Sequence, residues 1–353
     1  MTLTIDDVKD PINVIFRQIV ANKIATGDKG KALFLYKNEN LSGSSRVTTY
    51  KSSVFTLEDT TLAKYIKQML LNCKQVTVLE YKTTVASVTD VIDGLKYEFD
   101  WIMSADSAIQ SDIVSYAKEN EKFAFTYNQT ANSRFVASFN NPSAVFVDSD
   151  GTETTLTGCA LIPYLGGWAC GCPYNMAVDG KVFDELKSVA QPATYVEGQL
   201  VLVPEEEGIR FGNECNTLTT LSSTQTEDMK SLAISEGMQR FKLDLIKGYR
   251  QGYKGRYKNS YNNQCLFYAA VNQGYIKDLE KTGIEILDPD YGNKIYTDVE
   301  TQRNAWLARG KSEAADWSDE KVKQMTIARN LYVTADVKFL AAMGPMQITV
   351  EMA

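Results

Sequence analysis

The sequence predicts a mixed α/β and α+β fold, in which a core domain carries terminal strand-exchange arms and receives an inserted α/β domain. Short apolar strands alternate with amphipathic helices from Lys31 onward, which is typical of an α/β layer. The last third of the chain is mostly helical and finishes with the strand-like segment MQITVEM. A second strand-like segment, PINVIF, precedes the α/β layer.

The α/β layer is predicted from four strands and three helices. The strands are KALFLYK, QVTVLEYKT, FDWIMSA and KFAFTYNQT, and the helices are TTLAKYIKQMLLNC, SVTDVIDGLKY and SAIQSDIVSYAKENE. Helices between successive strands favour a largely parallel sheet. The connection after the first strand has a single glycine, Gly43, and no glycine-rich phosphate-binding loop occurs. An α/β nucleotide- or small-molecule-binding enzyme built on residues 31–130 therefore remains the disfavoured alternative.

The middle of the chain is predicted to combine short strands with an apolar segment. SAVFVDSDGTETTLTG indicates a strand, an Asp-Gly turn, and a second strand or the start of a helix. TGCALIPYLGGWACGCPYNMAV is either a buried connection or a protein-contact surface. A hairpin is predicted with strands over 199–203 and 209–211, followed by a helix capped by Thr226.

The C-terminal third is predicted to be helical before its last strands. Asn259 and Ser260 open a helix that Gly283 ends, and IEILDPDYGN forms a strand and a turn. Two more amphipathic helices, TDVETQRNAWLARG and SDEKVKQMTIARN, precede the strand LYVTADVKFL. The predicted domains are residues 1–30, an arm and the start of the core; 31–130, the inserted outer domain; 131–225, a middle part of the core or a bridge; and 226–353, the C-terminal core.

Composition restricts the chemistry that the chain can perform. The 353 residues contain no histidine, which removes the usual imidazole base and most catalytic zinc sites. Six cysteines are too sparse for a disulfide scaffold, and their spacing is not that of a zinc site. The net charge of −7 disfavours direct nucleic-acid binding, and no stretch is long enough to cross a membrane. No catalytic, cofactor or metal site is predicted, and the chain is expected to fold in a cytoplasm.

Both ends of the chain have the period-two pattern of half-apolar strands. Each end either closes the sheet of its own subunit or acts as an arm that adds a strand to a neighbouring subunit. Gly344 and Pro345 precede the C-terminal strand over 346–352 and can act as a hinge. The predicted arm residues are Ile12, Val14 and Phe16 at the N-terminal end and Met346, Ile348, Val350 and Met352 at the C-terminal end.

A basic segment between Arg240 and Lys258 has seven cations and one anion, Asp244. It is either a solvated helix face or a docking surface for an acidic partner. The possible contacts to a tube or another partner are Lys247, Arg250, Lys254 and Arg256. The pair around Arg303 and Lys321 is the alternative tube-facing surface.

Four segments together resemble the sheath proteins of contractile phage tails, especially the compact sheaths of defective prophages and R-type bacteriocins. They are INVIFRQI, EGQLVLVPEEEGIRFGNECNTLTT, KNSYNNQCLFYAAVNQGYIKDLEK and MQITVEM. The family's Asn-Ser-Leu-Thr loop is here Asn216-Thr217-Leu218-Thr219. Where the family often has a basic residue before this loop, the chain has Glu214 and Cys215. The similarity covers residues 197–352 and is weak over 31–174.

The resemblance implies a structural subunit and no enzyme. Such subunits form hexameric rings that stack helically around a tail tube, exchange arm strands with neighbours, and contract to drive the tube through a cell envelope. The implied partners are further copies of the chain, the tail tube protein, and the baseplate and tail terminator proteins, with no direct contact to nucleic acid or membrane. The implied location is the tail sheath of a virion or particle that is assembled in the cytoplasm of the bacterial host.

Overall fold

The computed structural model describes residues 24–25, 29–83, 89, 92 and 97–349. The chain divides into two compact units, one formed by residues 28–236 with 341–353, the other by 1–27 with 237–340. Residues 131–225, expected in the core or as a bridge, thus fall in the same unit as residues 31–130. The reason is a shared hydrophobic core, in which Phe139, Leu165 and Leu202 pack in one cluster with Phe34 and Val78.

The first unit is built on a six-stranded sheet of order β2-β3-β1-β4-β5-β6. Its strands are β1 (Lys31–Lys37), β2 (Ser45–Tyr50), β3 (Gln75–Tyr81), β4 (Trp101–Met103), β5 (Phe123–Tyr127) and β6 (Val136–Phe139). All pairs are parallel except β2 with β3. The parallel α/β layer is therefore confirmed. The antiparallel strand β2, within a connection predicted to be irregular, was not predicted.

Two helices of the predicted alternation lie between these strands. Helix α1 (Thr60–Leu70) is capped by Asp59, whose carboxylate accepts the Leu62 backbone N–H. Helix α2 (Gln110–Asn120) follows a short 3-10 turn over Ser107–Ile109. The helix predicted over SVTDVIDGLKY lies mostly outside the described residues.

The apolar segment TGCALIPYLGGWACGCPYNMAV contains a buried helix, α3 (Ile162–Gly171), so it is a connection within the core and not a contact surface. Its small residues permit close packing against α1. A Cβ atom at Gly167 would lie 2.9 Å from Met69 Cα, and one at Gly171 would lie 2.0 Å from the Asn72 carbonyl oxygen. The helix therefore requires glycine where it meets α1.

A three-stranded sheet and a hairpin complete the first unit. The sheet has the order β8-β7-β9, with β7 (Ser143–Val147), β8 (Glu153–Thr157) and β9 (Leu186–Val189). The predicted hairpin is present as β10 (Leu202–Glu205) and β11 (Gly208–Phe211). It begins later than predicted, because the backbone N–H of Val201 bonds the side chain of Asn213 rather than a strand.

The long helix α4 (Leu232–Gly252) begins later than Thr226, so the predicted cap is wrong. Residues Glu227–Lys230 form a 3-10 turn whose Thr226 side chain makes no capping bond. The helix start is instead capped by Ser231, whose hydroxyl accepts the Ile234 N–H at 3.2 Å, and by Glu214, whose carboxylate accepts the Ala233 N–H at 2.7 Å. Glu214 stands where the sheath family often has a basic residue before the loop. Its acidic side chain here stabilises a helix N-terminus.

The loop over residues 216–219, which corresponds to the family's Asn-Ser-Leu-Thr loop, is a buried polar connection. Asn216 is fully buried, and its amide nitrogen donates to the Met229 carbonyl at 2.8 Å and to the Ser235 hydroxyl at 3.2 Å. Its amide oxygen accepts the Leu218 N–H at 3.0 Å. Asn216 therefore joins the loop to the start of α4.

The second unit contains helices and a two-stranded sheet. The helices after α4 are α5 (Tyr261–Ala270), a π-helical segment (Val271–Tyr275), α6 (Ile276–Leu279), α7 (Val299–Leu307) and α8 (Asp319–Gln324). Ser260, Asp298 and Ser318 cap the helices that follow them. The helix predicted to run to Gly283 ends at Leu279.

Two strands pair in the second unit, β12 (Lys294–Thr297) and β13 (Val333–Asp336). Strand β13 lies within the predicted LYVTADVKFL, whereas β12 was not predicted. The remaining 3-10 turns of the described residues are Gly158–Leu161, Val178–Gly180 and Ser312–Asp316.

Candidate functional site: an open sheet edge and a basic groove

The small sheet of the second unit has two edges with different hydrogen bonding. Its strands run antiparallel, with Ile295 opposite Ala335 and Thr297 opposite Val333. Opposite residues of an antiparallel pair either bond to each other or both direct their N–H and C=O groups outward. The register therefore shows which backbone groups face the two edges.

The β12 edge is closed at Ile295 by a side chain. Asn272 accepts the Ile295 N–H through Oδ1 at 2.7 Å and donates through Nδ2 to the Ile295 carbonyl at 3.0 Å. Both outward-facing backbone groups of Ile295 are thereby satisfied. Asn272 lies in the π-helical segment Val271–Tyr275, and sequence analysis did not identify it.

The β13 edge is open within the described part of the chain. Because Ile295 bonds Asn272, the opposite residue Ala335 directs its own N–H and C=O away from β12, and so does Val333, two positions earlier. No backbone hydrogen bond from another described residue reaches Val333 or Ala335. The side chain of Val333 is 38% exposed. An unpaired strand edge of this kind is a template for a further strand.

The described part of the C-terminal segment is not a strand. Residues 341–349 form no strand, and Met346 and Ile348 are 81% and 67% exposed. Val350 and Met352 lie outside the described residues, as do Ile12, Val14 and Phe16 of the N-terminal segment. The arm residues are therefore a prediction that the structure leaves untested.

The predicted basic residues are all exposed, but they divide into two groups. Lys247 and Arg250 lie on α4, which ends at Gly252, whereas Lys254 and Arg256 lie in the turns that follow. The anion of this segment, Asp244, is buried, 3.6 Å from Arg240 and within hydrogen-bond distance of the Tyr275 hydroxyl. Asp244 therefore does not balance the charge of the surface.

A groove of about 580 Å³ lies beside these turns. Its floor is aromatic, with Tyr253 stacked on Tyr257 at 5.5 Å between ring centroids and packed edge-on against Phe267 at 4.9 Å. Its cationic lining is Lys254, Arg256, Lys258 and Arg329, and it does not include Lys247 or Arg250.

Arg329 reaches the groove from a distant part of the sequence. Its loop is held by Asn259, whose amide nitrogen donates to the carbonyls of Ala328 at 3.0 Å and Asn330 at 2.9 Å. The Thr326 hydroxyl donates to the Asn259 carbonyl at 3.0 Å. Sequence analysis did not assign Arg329 to this surface, since only the tertiary fold brings the two segments together.

The alternative pair, Arg303 and Lys321, is engaged within its own unit. Arg303 donates to the Trp317 carbonyl at 2.6 Å and forms an ion pair with Asp319 at 2.8 Å. The Lys321 ammonium lies over the Trp317 ring at 4.9 Å. Both side chains thus stabilise the loop between α7 and α8, and the groove has the better geometry for a partner.

Other chemistry lacks a site in the described residues. They contain no group of three or more Cys, Asp or Glu side chains placed to hold a metal ion. Burial raises the pKa of Cys172 and Cys215 to about 12 and that of Cys159 to about 11, so these thiols are protonated near neutral pH. None of the helices in the described part of the chain has the length and apolar character that a membrane crossing requires.

Comparison with known proteins identifies relatives in contractile tails. No protein-family model matches the sequence. The chain is 23% identical over 280 residues to the tail sheath protein of Clostridium phage phiCD119, covering 76% of this chain and 75% of the relative. The crystal structure of the sheath tail protein from Desulfitobacterium hafniense superposes with a TM-score of 0.58 at 13% identity, over 78% of this chain and 91% of that one. A chain of the anti-feeding prophage baseplate in its contracted state has a TM-score of 0.58 at 9% identity, over 93% and 95%.

The fold is thus that of sheath tail proteins, and the relatives are structural sheath proteins rather than enzymes. The resemblance found in the sequence is confirmed. The chain is thus similar in sequence to a phage tail sheath protein and in fold to a sheath tail protein and to a chain of a contracted prophage baseplate.

Proposed function

We propose that this protein polymerises as stacked hexameric rings around a tail tube and contracts to drive the tube through a target cell envelope. The observation that carries the proposal is the combination of an open strand edge at Val333 and Ala335 with the strand pattern of the sequence over 346–352, of which Met346 and Ile348 are exposed. An exposed segment with a strand pattern together with an open edge favours exchange between subunits. Heterologous contacts that do not close also build open helical assemblies.

Strand exchange supplies joints that are strong enough to survive a rearrangement. A seven-residue arm forms about six ladder bonds, each contributing about 0.5–1.5 kcal/mol net. Burial of Ile348 and of Val350 adds about 1.5–3 kcal/mol each. The Gly344-Pro345 pair supplies a flexible link before the C-terminal segment. The extended sheath is then a metastable state whose lateral contacts between rings are weak while the arm joints persist.

Contraction follows because the lateral contacts between rings are weaker than the arm joints. When the baseplate releases the first ring, its subunits rotate nearly as rigid bodies, bury more surface and pull on the next ring through their arms. No nucleotide is required, because the free energy is stored in the extended assembly. The partners are other copies of the chain, the tube, the baseplate and the tail terminator, and assembly takes place in the host cytoplasm.

The basic groove is the proposed contact to an acidic surface of the tube or another tail protein. Four cations from two segments converge on its lining, and its aromatic floor supplies apolar contact area. Electrostatic complementarity of this kind determines orientation and partner choice. In this proposal the α/β domain over residues 31–130 lies on the outside of the particle.

Negative-stain electron microscopy of the purified protein over a range of concentration and salt tests the proposal. We expect hollow tubes or stacked rings from the full chain. Removal of residues 346–353 should leave a folded protein that forms neither, because the arm joints are lost. Circular dichroism checks the fold of the truncated chain. Normal tubes from the truncated protein, or only small closed oligomers from the full chain, would contradict the proposal.

A further inference from the structure

The hairpin β10–β11 ends in an acidic turn, which comprises Glu205, Glu206, Glu207 and Gly208. We propose that the basic groove binds the acidic turn of a second copy of the chain whenever the groove does not bind the tail tube. The inference rests on the proposed function, and it adds a second partner for the same surface.

The acidic turn is held in a fixed shape by its own hairpin. Glu205 pairs with Gly208, which leaves Glu206 and Glu207 as a two-residue loop. The strands on both sides are anchored in the core of the first unit by the buried side chains of Leu202, Ile209 and Phe211. A turn that is already ordered loses little conformational entropy when it binds a partner.

The acidic turn carries more negative charge than its hairpin neutralises. All three glutamates are exposed. The Arg210 guanidinium lies 2.9 Å from the Glu205 carboxylate and 3.2 Å from the Glu207 carboxylate. No ion pair of the described residues involves Glu206. Three carboxylates against one guanidinium leave a net charge of −2 on this small surface.

The basic groove has the opposite excess of charge. No Asp or Glu is among the described residues that line it. In the same part of the chain, no carboxylate forms an ion pair with its four exposed cations, Lys254, Arg256, Lys258 and Arg329. Its volume of about 580 Å³ is that of a site which encloses several side chains. The groove and the acidic turn are therefore complementary in charge.

The Asp-Gly turn over residues 148–153 is the other acidic turn in the middle of the chain, and it is less suited to the groove. Asp148 pairs with Lys64 at 2.9 Å, and Glu153 pairs with Lys187 at 2.6 Å. The Asp150 carboxylate accepts the Thr152 N–H at 2.9 Å. Most of its negative charge is thus already balanced, whereas that of the 205–208 turn is not.

The tail tube and the acidic turn compete for one groove. In the proposed function the tube is driven past the sheath, so a contact between groove and tube has to break during contraction. The four cations then lose their acidic partner. Binding of the acidic turn of another copy replaces the lost attraction, and this favours the contracted sheath over a sheath that only releases its tube.

The first test measures the critical concentration for assembly of the purified full chain without the tail tube, by pelleting at low salt. Glu206→Lys reverses a charge of the turn and leaves both contacts of Arg210 in place. We expect the critical concentration to rise about tenfold, because an attraction becomes a repulsion. Circular dichroism checks the fold, and Glu206→Gln, with a smaller expected rise, is the second variant if Glu206→Lys does not fold.

The matched control is Glu119→Lys. Glu119 is an exposed glutamate near the end of α2, and its replacement changes the net charge by the same amount outside the hairpin. This variant should assemble like the original chain. An equal rise for Glu119→Lys and Glu206→Lys would show a general effect of net charge and would overturn the inference.

The second test asks whether the contact joins two copies. Glu206→Lys keeps an intact groove, and Arg256→Glu keeps an intact acidic turn. An equal mixture of the two variants should therefore assemble at a lower concentration than either variant alone. The double variant Glu206→Lys/Arg256→Glu should also recover assembly, because the exchanged charges attract again. Recovery in the double variant but not in the mixture would indicate a contact within one chain and would overturn the inference.

The third test examines the exchange of partners. On the tail tube the groove is occupied, so Glu206→Lys should co-sediment with the tube as well as the original chain does. A loss as large as that in assembly without the tube would overturn the competition between the two partners.

These outcomes separate the inference from the proposed function. Failure of the original full chain to assemble contradicts the sheath proposal itself. Normal assembly of folded Glu206→Lys without the tube leaves that proposal intact and overturns the contact between the acidic turn and the groove.

Discussion

Lys29 and Glu236 form a buried ion pair, and each lies within two residues in sequence of a boundary of the first unit. The Lys29 ammonium lies 2.6 Å from Glu236 Oε2, and the Trp101 indole donates to Oε1 at 2.8 Å. Burial raises the pKa of Glu236, with Lys29 opposing that effect. Burial also acts to lower the pKa of Lys29, but Glu236 and its other neighbours reverse the effect and raise it. Each charge is therefore tolerated in the interior because of the other.

Removal of one partner should be costly. We expect Glu236→Gln to reduce the free energy of unfolding by about 3–5 kcal/mol, because it leaves the Lys29 charge buried without a counterion. Urea denaturation at neutral pH measures the loss. The double variant Lys29→Met/Glu236→Gln removes both charges and keeps an oxygen for Trp101, so it should recover most of the stability. A loss below about 1 kcal/mol in the single variant would mean that the pair is not charged in the folded protein.

At the scale of elements, the contact between α1 and α3 depends on glycine. The Cβ of an alanine at Gly171 would lie 2.0 Å from the backbone oxygen of Asn72, and backbone cannot move aside cheaply. Helix α3 must therefore shift as a whole, which strains a core that it shares with the six-stranded sheet.

We expect Gly171→Ala to destabilise the protein by about 1–3 kcal/mol or more, as overpacking does in other cores. Thermal or chemical unfolding measures the change. Gly274→Ala is the matched helical control, because a Cβ there meets nothing within 4 Å. The control should be neutral or slightly stabilising, given the higher helix propensity of alanine. Equal stability of the two variants would show that α3 does not pack closely on α1.

Whether a helix or strand was predicted from the sequence depended on its length and on whether its hydrogen-bond partners lie close to it in sequence. β1, β3 and β5 were predicted because buried parallel strands are continuous apolar runs. β12 was missed because KIYT has four residues, and its stabilising partners, Asn272 and β13, are distant in sequence. The start of α4 was misplaced at Thr226, although Ser231 directly before the helix accepts the Ile234 N–H at 3.2 Å; the further cap, Glu214, is distant in sequence.

At the scale of the whole molecule, the groove predicts a charge-dependent association. Arg256 lines the groove and Arg250 does not, although both are exposed cations of the same segment. Arg256→Glu should weaken co-assembly with the tube by about tenfold or more at low salt, since it replaces an attraction with a repulsion.

Arg250→Glu introduces the same change in net charge outside the groove and should have a smaller effect. Co-sedimentation of sheath with tube over a salt series compares the two variants, and screening should reduce the difference at high salt. Equal loss in both variants would indicate a general electrostatic attraction and not a docking groove. Full binding by Arg256→Glu would exclude the groove as the contact.

The sequence by itself predicted the fold class and the resemblance to tail sheath proteins. The parallel α/β layer, the period-two segment over 346–352 and the family resemblance all follow from local patterns, because periodicity and turn residues act over a few positions. The absence of histidine and the sparse cysteines are composition alone.

Only the tertiary structure decided which surfaces are available for contact with a partner. Arg329 joins the groove because Asn259 holds its loop there, and Lys247 and Arg250 fall outside it. The open edge at Val333 and Ala335 depends on the pairing register and on Asn272, three contributions from separate parts of the chain. A strand edge is open when its outward-facing backbone groups have no hydrogen-bond partner. Whether they have one is known only when every distant segment of the chain has been placed.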